Sequence, residues 1–384
     1  MNPKPTLVRI TTVPISLEKL LHGQLHFMSN HYRVIAISSD DAGLEKVRQQ
    51  EGVEVFKVPM TRRITPLQDL KTVILLYRYF KKVRPHIVHS HTPKAGTVAM
   101  MAAWLSGVRH RLHTVAGLPL LEARGARRML LDAVEKVTYA CATRVYPNSS
   151  GLRDIILKNR YASASKVKVL GNGSSNGIDT AHFSVDCFSA NQLDAIKSEH
   201  QINPGDFVFV FVGRLVGDKG VNELMAAFER LLQRHAQVKL LLVGDYEADL
   251  DPLLPETLRL IQNLPNVIAT GFRQDVRPFL AVSDALVLPT YREGFPNVVL
   301  QAGAMGLPSI VTDINGCNEI ISHEINGIII PVKDEMAIFK AMEQLLENPS
   351  QYASMKSVAR AQIVSRFEQS VVWQAILDEY QNLE

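Results

Sequence analysis

Cysteine is scarce in this 384-residue chain, and its scarcity limits the class of protein. Three cysteines occur, far apart and without metal-ligand spacing: Cys141, Cys187 and Cys317. A disulfide scaffold is therefore excluded, no zinc site is expected, and a reducing cytosol is the expected compartment. Low-complexity tracts are also missing, which excludes a disordered or collagen-like chain.

Long hydrophobic runs are missing as well. No stretch reaches the roughly 18 apolar residues that cross a bilayer, and Met1–Arg9 leads straight into a strand-like stretch instead of a signal sequence. We therefore expect a cytoplasmic protein that neither spans a membrane nor is secreted. The remaining composition, 46% hydrophobic and 21% charged, is that of a globular chain. The length of 384 residues predicts two or three domains, and two domains of about 190 residues would each bury a full core.

Negative charge is scarce in the first half of the chain. Residues 1–180 contain 27 Lys and Arg against 12 Asp and Glu, a net charge of +15, whereas the remainder contains 15 against 26, or −11. The formal net charge of +4 is the sum of these opposite halves. A basic half predicts contact with an anionic partner, such as a membrane surface, a phosphorylated substrate or nucleic acid.

Short apolar runs alternate with longer amphipathic segments along the whole chain, which is typical of parallel βαβ units. The first series predicts six strands: Leu7–Thr12, Tyr32–Ser38, Val53–Val58, Ile87–His89, Arg111–Val115 and Arg144–Pro147. The second series predicts six more: Phe207–Val212, Lys239–Val243, Val267–Thr270, Ala285–Pro289, Ser309–Val311 and Gly327–Pro331. The predicted fold class is α/β, with two doubly wound, Rossmann-like modules.

A turn-rich stretch, Gly171–Gly177, separates the two modules and marks a hinge. We therefore assign residues 1–180 to a first domain and residues 181–365 to a second. The segment from about 366 to 384 is expected to be a helix that crosses back to the first domain. Because open α/β sheets bind ligands beyond the carboxyl ends of their strands, we expect the two domains to face each other across a cleft.

The first informative motif follows the strand Phe207–Val212 and reads GRLVGDKG, from Gly213 to Gly220. A strand that leads through a glycine-containing loop into a helix can hold a phosphate on its backbone N–H groups, while Arg214 and Lys219 supply positive charge. The motif is not a Walker loop, since no Gly-Lys-Ser/Thr follows. An ordinary turn with two solvated cations is the alternative.

A second strand end leads into TYREGFPNVVLQAGAMG, Thr290–Gly306. Asn297 lies near the start of the following helix, where free N–H groups favour anions or sugar oxygens. Glu293 in the loop and Gln301 in the helix suit a polyhydroxylated ligand, because a carboxylate and an amide together accept and donate hydrogen bonds. Alternatively, Glu293 is a surface residue and Gln301 only fills a helix position.

In order and spacing, four stretches of residues 207–331 resemble the C-terminal domain of family 4 retaining glycosyltransferases, which have the GT-B fold: GRLVGDKG, LLLVGD, ATGFRQDV and SDALVLPTYREGFPNVVLQAGAMGLPSIVTD. The first half resembles the family more loosely, through residues 87–96 and 176–183. The resemblance implies a transferase with an acceptor-binding first domain and a donor-binding second domain. The implied setting is surface or capsular polysaccharide biosynthesis.

The resemblance also implies the roles of individual residues. Arg214 and Lys219 would hold the donor diphosphate and neutralise charge on the leaving group, and Glu293 would contact the donor sugar. The implied donor-binding set comprises Gly213, Gly271, Phe272, Arg273, Val276, Gly294, Phe295, Asn297, Val298 and Gln301. The bond would form with retention of anomeric configuration, with Arg and Lys in place of a bound metal ion. No cofactor is implied, because the nucleotide-sugar is a substrate.

Three positions depart from the family pattern. Gln301 stands where the family usually has a second Glu, whose carboxylate binds ribose with charge assistance. Ala116 stands where a His commonly contacts the transferring sugar, and Thr12–Ser16 replaces a glycine-rich loop. The acceptor-side candidates, of which His113 more readily fits a structural role, are His91, Lys94, Gly96, His113 and Gly117.

The predicted helix Leu67–Val83 carries part of the positive charge. At 100° per residue, Lys71, Arg78 and Lys82 fall within about 40° of one another, with Leu75 beside them. The opposite, core-facing side is expected to hold Leu70, Val73, Ile74, Tyr77 and Phe80. The cationic stripe predicts peripheral contact with an anionic membrane, and a solvated face is the alternative. Nucleic acid is not an expected partner, because no basic motif with interleaved aromatic residues occurs.

The expected function is transfer of a hexosyl or N-acetylhexosaminyl group from a nucleotide diphosphate sugar, by resemblance a UDP-sugar, to a saccharide or lipid-linked saccharide acceptor. Two alternatives stay open. One is a nucleotide-sugar-binding protein without transferase activity, which Ala116 and Gln301 allow, and the other is a GT-B-fold nucleotide-sugar epimerase. The expected location is the cytoplasm, with peripheral attachment to the inner face of the membrane.

Overall fold

The computed structural model describes residues 4–61, 63–118, 120, 123–247 and 251–383. The chain divides into two compact units: unit 1 comprises Met1–Gly177 and Gln369–Glu384, and unit 2 comprises Ile178–Glu368. Unit 1 therefore ends at the last glycine of the turn-rich stretch instead of residue 180. Its returning segment begins at Gln369 instead of about residue 366.

Unit 1 is built around a six-stranded parallel sheet with the strand order β3-β2-β1-β4-β5-β6. Its strands are β1 (Thr6–Ile10), β2 (Arg33–Ser38), β3 (Glu54–Lys57), β4 (Ile87–Ser90), β5 (His110–Val115) and β6 (Arg144–Pro147). The helices between them are α1 (Pro14–Leu20), α2 (Gln24–Ser29), α3 (Asp41–Glu51), α4 (Pro66–Val83), α5 (Pro93–Ser106), α6 (Gly125–Cys141) and α7 (Ser150–Lys158).

The inner strands of unit 1 are largely buried because helices cover both faces of the sheet, and among their mainly apolar residues lie a few polar ones such as Arg9, His89 and His113. Successive side chains of a strand point to opposite faces, so Val8 and Ile10 of β1 pack in one core cluster and Leu7 packs in the other. The first cluster lies under α4 to α7, which we name layer A. The second lies under α1 to α3 and the C-terminal helix, which together form layer B.

Unit 2 repeats this architecture with the strand order β12-β11-β10-β7-β8-β9. Its strands are β7 (Phe207–Val212), β8 (Val238–Val243), β9 (Val267–Gly271), β10 (Ala285–Leu288), β11 (Ser309–Thr312) and β12 (Gly327–Ile330). Its helices are α8 (Ala190–Glu199), α9 (Val221–Leu232), α10 (Pro255–Asn263), α11 (Arg277–Ala281), α12 (Asn297–Ala304), α13 (Cys317–Ile320), α14 (Glu335–Glu347) and α15 (Pro349–Phe367). The predicted α/β class with two doubly wound sheets is confirmed.

The C-terminal part of the chain forms two successive helices, and the second is the returning helix expected at about residues 366–384. The backbone is extended at Glu368, with a ψ of 140°, and this residue separates α15 from α16 (Gln369–Gln381). The helix α16 returns to layer B of unit 1, where Trp373 Nε1 donates to Asn176 Oδ1 at 2.7 Å and the Trp373 ring lies 5.4 Å from that of Phe27. Within the described residues, no helix has both the length and the hydropathy needed to cross a membrane.

Candidate functional site

The centre of the sheet in unit 2 is the topological position at which α/β proteins bind ligands. The chain runs from β7 through β8 to β9 on one side, and then crosses to β10, β11 and β12 on the other. The loops after the neighbouring strands β7 and β10 therefore diverge and leave a crevice beyond the carboxyl ends. Both motifs singled out in the sequence lie in these two loops.

Gly220 lets the two loops approach closely. Its φ is +71°, a left-handed conformation that strains any side chain, and a Cβ atom there would overlap the carbonyl oxygen of Pro289. The short 3₁₀ turn Gly217–Lys219 precedes it, and α9 begins directly after it. Glycine is therefore required at this position to bring Lys219 beside the β10 loop.

The three residues expected to carry the chemistry have paired charges. Lys219 Nζ donates to Glu293 Oε1, and the two side chains are only 16% and 21% exposed. Arg214 Nη1 donates to Glu247 Oε2 at 2.7 Å, and this hydrogen bond raises the pKa of Arg214. The structure thus brings Lys219 and Glu293 together directly, with Arg214 on the same loop as Lys219.

Side chains that the sequence analysis missed hold these loops in place. Asp218 accepts two hydrogen bonds from Arg292 at 3.1 and 2.5 Å, and its backbone N–H donates to Asp251 Oδ2 at 2.5 Å. Asn315 Nδ2 donates to the carbonyl oxygen of Glu293 at 2.6 Å. The available signal was positional, because Asn315 closely follows β11, the neighbour of β10.

Gly213 lies where β7 ends beside β8. Its backbone N–H donates to the carbonyl oxygen of Val243 at 3.0 Å, and a Cβ atom at Gly244 would overlap the carbonyl oxygen of Gly213. The backbones of the two strand ends are therefore in close contact. Arg214 follows directly, and its guanidinium pairs with Glu247 beyond the end of β8.

The start of α12 carries further residues of the expected donor set. Asn297 is exposed at the first helical position, where backbone N–H groups are free, and Gly294 and Val298 are half-buried. Phe295 is partly buried and its side chain packs against the apolar core of unit 2. Gln301 is half-buried on the same helix, and no hydrogen bond of its side chain is found among the described residues.

The loop after β9 carries the last part of the expected donor set. The N–H of Phe272 donates to Asp245 Oδ1 at 2.9 Å, which ties the loop to the end of β8 while the ring of Phe272 stays 66% exposed. Gly271 has a φ of +69°, and the Arg273 guanidinium lies 5.5 Å from the ring of Phe279. Half-buried Val276 caps α11 and packs against the core. The loop therefore presents one exposed aromatic ring.

In unit 1 the equivalent switch point, between β1 and β4, is filled by buried polar side chains. Arg9 of β1 is fully buried, its Nε donates to His91 Nε2 at 2.9 Å, and its Nη2 donates to Gln24 Oε1. His89 is hydrogen-bonded to the Tyr380 hydroxyl of α16. Burial, assisted by nearby positive charge, lowers the pKa of both histidines well below the usual value, so both are neutral at pH 7.

A small cavity next to these histidines limits what can reach them. It has a volume of about 20 Å³ and is lined by residues that include His89, His91, Thr114 and Tyr146. That volume holds about one water molecule and no sugar ring. As the structure stands, His91 therefore has no room for a saccharide contact through this cavity.

Two other acceptor-side candidates form an internal packing contact. His113 is buried against Gly96, where a Cβ atom would overlap the imidazole ring, and its Nδ1 lies 2.8 Å from Ser90 Oγ. Burial lowers the pKa of His113 to about 4. Gly96 and His113 therefore pack α5 on the sheet, which fits the structural role that the sequence favours for His113.

Lys94 and Gly117 differ in their surroundings. Lys94 Nζ donates to Asp69 Oδ2, which links the start of α5 to the start of α4. Gly117 follows β5 and has open space around the position of a Cβ atom. Of these two candidates, only Gly117 is positioned without a competing internal contact in the described structure.

One group of metal-ligand type stands out in the described part of the chain. The ligand atoms of His235, Glu343 and Glu347 lie within 4.8 Å of one another, at the end of α9 and on α14. Arg234 already donates to Glu343 at 2.9 Å, which opposes binding of a cation. The group lies outside the two loops of the crevice, and metal independence stays a prediction.

Fold and site together define a class of α/β proteins with two Rossmann-like units. In one unit, the loops at the switch point of the sheet carry cations that are each paired with a carboxylate. Two family models match this chain, "Glycosyl transferases group 1" over residues 206–348 and "Glycosyl transferase 4-like domain" over residues 26–173. Together they cover most of both units. This chain belongs to the family 4 glycosyltransferases, as the sequence resemblance predicts.

Two curated relatives support the assignment along almost the whole chain. The capsular polysaccharide biosynthesis glycosyltransferase CapM of Staphylococcus aureus is 31% identical over 97% of this chain and 96% of its own length. The UDP-Gal:alpha-D-GlcNAc-diphosphoundecaprenol alpha-1,3-galactosyltransferase of Escherichia coli is 28% identical over 90% of each chain. The chain is therefore a glycosyltransferase.

A solved structure supports the fold. The Anabaena protein Alr3699/HepE, crystallised in complex with UDP, aligns with a TM-score of 0.80 and 19% identity over 99% of this chain and 100% of that chain. At this identity the comparison concerns the fold alone. It confirms the GT-B class expected from the sequence.

Proposed function

We propose that this chain is a retaining glycosyltransferase that uses a UDP-sugar and transfers its hexosyl or N-acetylhexosaminyl group to a saccharide on a lipid diphosphate carrier. The observation that carries the proposal is the contact of Lys219 with Glu293 at the ends of neighbouring strands, with Arg214 on the same loop. The UDP-Gal:alpha-D-GlcNAc-diphosphoundecaprenol alpha-1,3-galactosyltransferase supports the donor class. This relative and a second one, named for a diphospho-undecaprenol-linked sugar, support the acceptor class.

Two pairs of charges in the crevice suit a diphosphate. Arg214 and Lys219 are held by Glu247 and Glu293, and a bound diphosphate would replace these carboxylates as their partner. The two cations then stabilise the charge that develops on the leaving group. Glu293, released from Lys219, accepts hydrogen bonds from donor sugar hydroxyls and positions the sugar. Because these cations do the work of a metal ion, the reaction is proposed to need none.

The remaining donor contacts follow from exposure. The ring of Phe272 is open for stacking on the base, and the half-buried amide of Gln301 is proposed to bind ribose. The backbone N–H groups of Gly294 and Asn297 are proposed to bind sugar and phosphate oxygens, whereas the N–H of Gly213 already donates to Val243. Unit 2 thus binds the donor and unit 1 the acceptor in this proposal.

A direct test measures transfer of label into lipid. The purified chain is incubated with each of a panel of labelled UDP-, GDP-, ADP- and dTDP-sugars and a polyprenyl diphosphate sugar as acceptor. The proposal expects label in the organic phase with a UDP-sugar, equal molar release of UDP, and the donor's anomeric configuration in the product by NMR. Excess EDTA should leave the rate unchanged.

The alternatives give different results in the same experiment. Donor binding without UDP release would make the chain a nucleotide-sugar-binding protein, and a new sugar isomer on the nucleotide would make it an epimerase. Product with inverted configuration would overturn the retaining mechanism alone. Loss of rate with EDTA, restored by Mg²⁺, would overturn metal independence alone.

The proposed acceptor also bears on location. A sugar on a lipid carrier lies at a membrane surface, so we propose that the protein works in the cytoplasm against the inner face of the membrane. Exposed cations of α4, Lys71, Arg78 and Lys82, are available to bind anionic headgroups there.

A further inference from the structure

Exposed hydrophobic side chains are concentrated on one part of unit 1. Twenty large hydrophobic side chains are exposed in the described part of the chain, and eleven of them lie between Ile64 and Val137. On layer A they are Leu67, Leu70, Ile74, Leu75 and Tyr77 of α4, Trp104 and Leu105 of α5, and Met129, Leu130 and Val137 of α6. On layer B, Ile15 and Val371 are the only large hydrophobic side chains that are exposed among the described residues. Both layers cover the same sheet, so the exposed apolar surface is concentrated on layer A.

The helix α4 has apolar residues on two sides. Val73, Leu76 and Phe80 face the sheet. The prediction that Leu70, Ile74 and Tyr77 also face the core is wrong, because all three are exposed, as is Leu67 one turn earlier. A helix needs only one apolar arc to pack on a core. The exposed arc of Leu67, Leu70, Ile74 and Tyr77 is a second one, and it has no partner within the described structure.

The helix α6 repeats this arrangement. Its exposed apolar residues fall within an arc of about 100°: Met129, Leu130, Ala133, Val137 and Ala140. Glu135, Thr138 and Tyr139 lie on the opposite, buried side. The helix α5 packs between α4 and α6, so the two apolar arcs belong to one helical layer.

The charges exposed on these two helices have one sign. The exposed charged side chains are Lys71, Arg78, Lys81 and Lys82 on α4, and Arg127 and Lys136 on α6. The acidic side chains of the same helices are engaged or buried: Asp69 pairs with Lys94, Asp132 pairs with Arg128, and Glu135 is buried. Apolar residues mixed with cations match the boundary between acyl chains and headgroups of an anionic bilayer.

We propose that layer A is a membrane-docking surface, in which the outward arcs of α4 and α6 enter the interface of an anionic bilayer while their cations bind lipid headgroups. This goes beyond headgroup contact by three cations, because apolar side chains leave water. It rests on the proposed function only in that a lipid-linked acceptor supplies the reason for docking. A folded surface of this kind binds lipid whether or not the enzyme is active.

Vesicle binding of the full-length chain tests the surface. On vesicles of phosphatidylglycerol and phosphatidylcholine, replacing Lys71, Arg78 and Lys82 with Glu should weaken binding by about a hundredfold. Replacing Leu67, Ile74 and Met129 with Ser should weaken it by at least about tenfold. Each variant has a matched control on layer B. Replacing Lys19, Lys46 and Arg48 with Glu makes the same change of charge, and replacing Ile15 and Val371 with Ser removes exposed apolar side chains. Equal binding of layer A and layer B variants would overturn the proposal.

Trp104 reports entry into the bilayer itself. The chain has two tryptophans, of which Trp104 is 57% exposed on α5 and Trp373 is hydrogen-bonded inside unit 1. Lipids brominated on their acyl chains should quench the emission of the wild-type protein and should quench a Trp104→Phe variant much less. Sedimentation with vesicles without such quenching would show headgroup contact alone and would overturn insertion.

Two further readouts separate the possible failures. UDP release with a water-soluble acceptor analogue should be unchanged in every layer A variant, so loss of docking and failure of the proposed function are distinguishable. The other occupant of such a surface is a second copy of the chain. A dimer that the Ser variant converts to a monomer, with vesicle binding unaffected, would make layer A a protein interface and overturn membrane docking.

Discussion

Each unit holds a largely buried lysine against a carboxylate, Lys94 against Asp69 in unit 1 and Lys219 against Glu293 in unit 2. The two pairs differ in what else the carboxylate binds. Asp69 also accepts from the Thr65 hydroxyl at 3.1 Å, and its pair connects the starts of α4 and α5. Glu293 accepts from Lys219, and the structure, over its described residues, shows no second side-chain donor to its carboxylate.

The comparison shows how one type of ion pair can have two roles. A carboxylate with several internal donors fixes two helices, and breaking it leaves buried polar groups unsatisfied. A carboxylate with one donor, in a loop at the switch point, can exchange that donor for a ligand. The position in the sheet and the second partner of the carboxylate, not the residue types, distinguish Lys94 from Lys219, for which we propose a catalytic role.

The largest expected effect separates these two lysines. Lys219→Ala should lower kcat/KM by about a hundredfold to a thousandfold, because it removes the charge that we propose to stabilise the leaving diphosphate. Lys94→Ala should lower the free energy of unfolding by about 1 kcal/mol and leave the KM for donor unchanged. Steady-state kinetics and urea unfolding on both variants measure the two effects.

The matched control for this pair of variants is Lys340→Ala, which removes an exposed lysine of α14. It should change neither quantity. Full activity of Lys219→Ala would contradict the diphosphate assignment. A loss of activity in Lys94→Ala equal to that in Lys219→Ala would remove the distinction between the two pairs.

The units differ also in their histidines, and this predicts the second effect. Four histidines of unit 1 are buried, His89, His91, His110 and His113, whereas the histidines of unit 2 are half-buried or exposed. Burial lowers the pKa of His113 to about 4, below its value in an unfolded chain, so protons bind the unfolded state more tightly. The stabilisation is complete above about pH 6.5 and is lost as the pH falls through about 4.

Acid should therefore destabilise unit 1 before unit 2. For His113 alone the free energy of unfolding should fall by about 2 kcal/mol between pH 7.5 and pH 5. Hydrogen exchange, corrected for its intrinsic pH dependence, should show greater opening of β4 and β5 at pH 5 and little change in β7 and β8. In His113→Gln the pH dependence should shrink by the same amount. Equal opening of both units would contradict this reasoning.

The strands could be predicted almost completely because both faces of each parallel sheet are covered. Most strands are then short, mainly apolar runs of four to six residues between turn-forming residues, as Phe207–Val212 shows most clearly. The same local pattern of strand, glycine loop and helix singled out Arg214, Lys219 and Glu293 as candidates, and the structure brings Lys219 and Glu293 into contact. These residues were accessible because each lies within a few positions of a strand end.

The rest depends on contacts that no local pattern contains. Asp251 accepts a hydrogen bond from the N–H of Asp218, 33 residues away, and Asn315 donates to Glu293, 22 residues away. Only the strand order brings the two members of each pair together. The helix α4 shows a different limit, because it is apolar on nearly all sides. Periodicity could not decide which arc faces the sheet, and Ile74 was assigned to the core although it lies outside.

The smallest expected effect concerns the carboxylate that holds Arg214. The pair of Arg214 with Glu247 is exposed, and such pairs contribute at most about 1 kcal/mol. If Arg214 binds the donor diphosphate as proposed, Glu247 competes with the diphosphate for this guanidinium. Glu247→Gln should therefore lower the KM for donor by about twofold to fourfold and leave kcat unchanged. The difference should shrink at high salt, which screens exposed charges. Glu335→Gln, which removes a similar exposed pair with Arg230, should change nothing. A raised KM in Glu247→Gln would mean that Glu247 binds the donor itself. Glu247 would then not be a carboxylate that the donor diphosphate displaces.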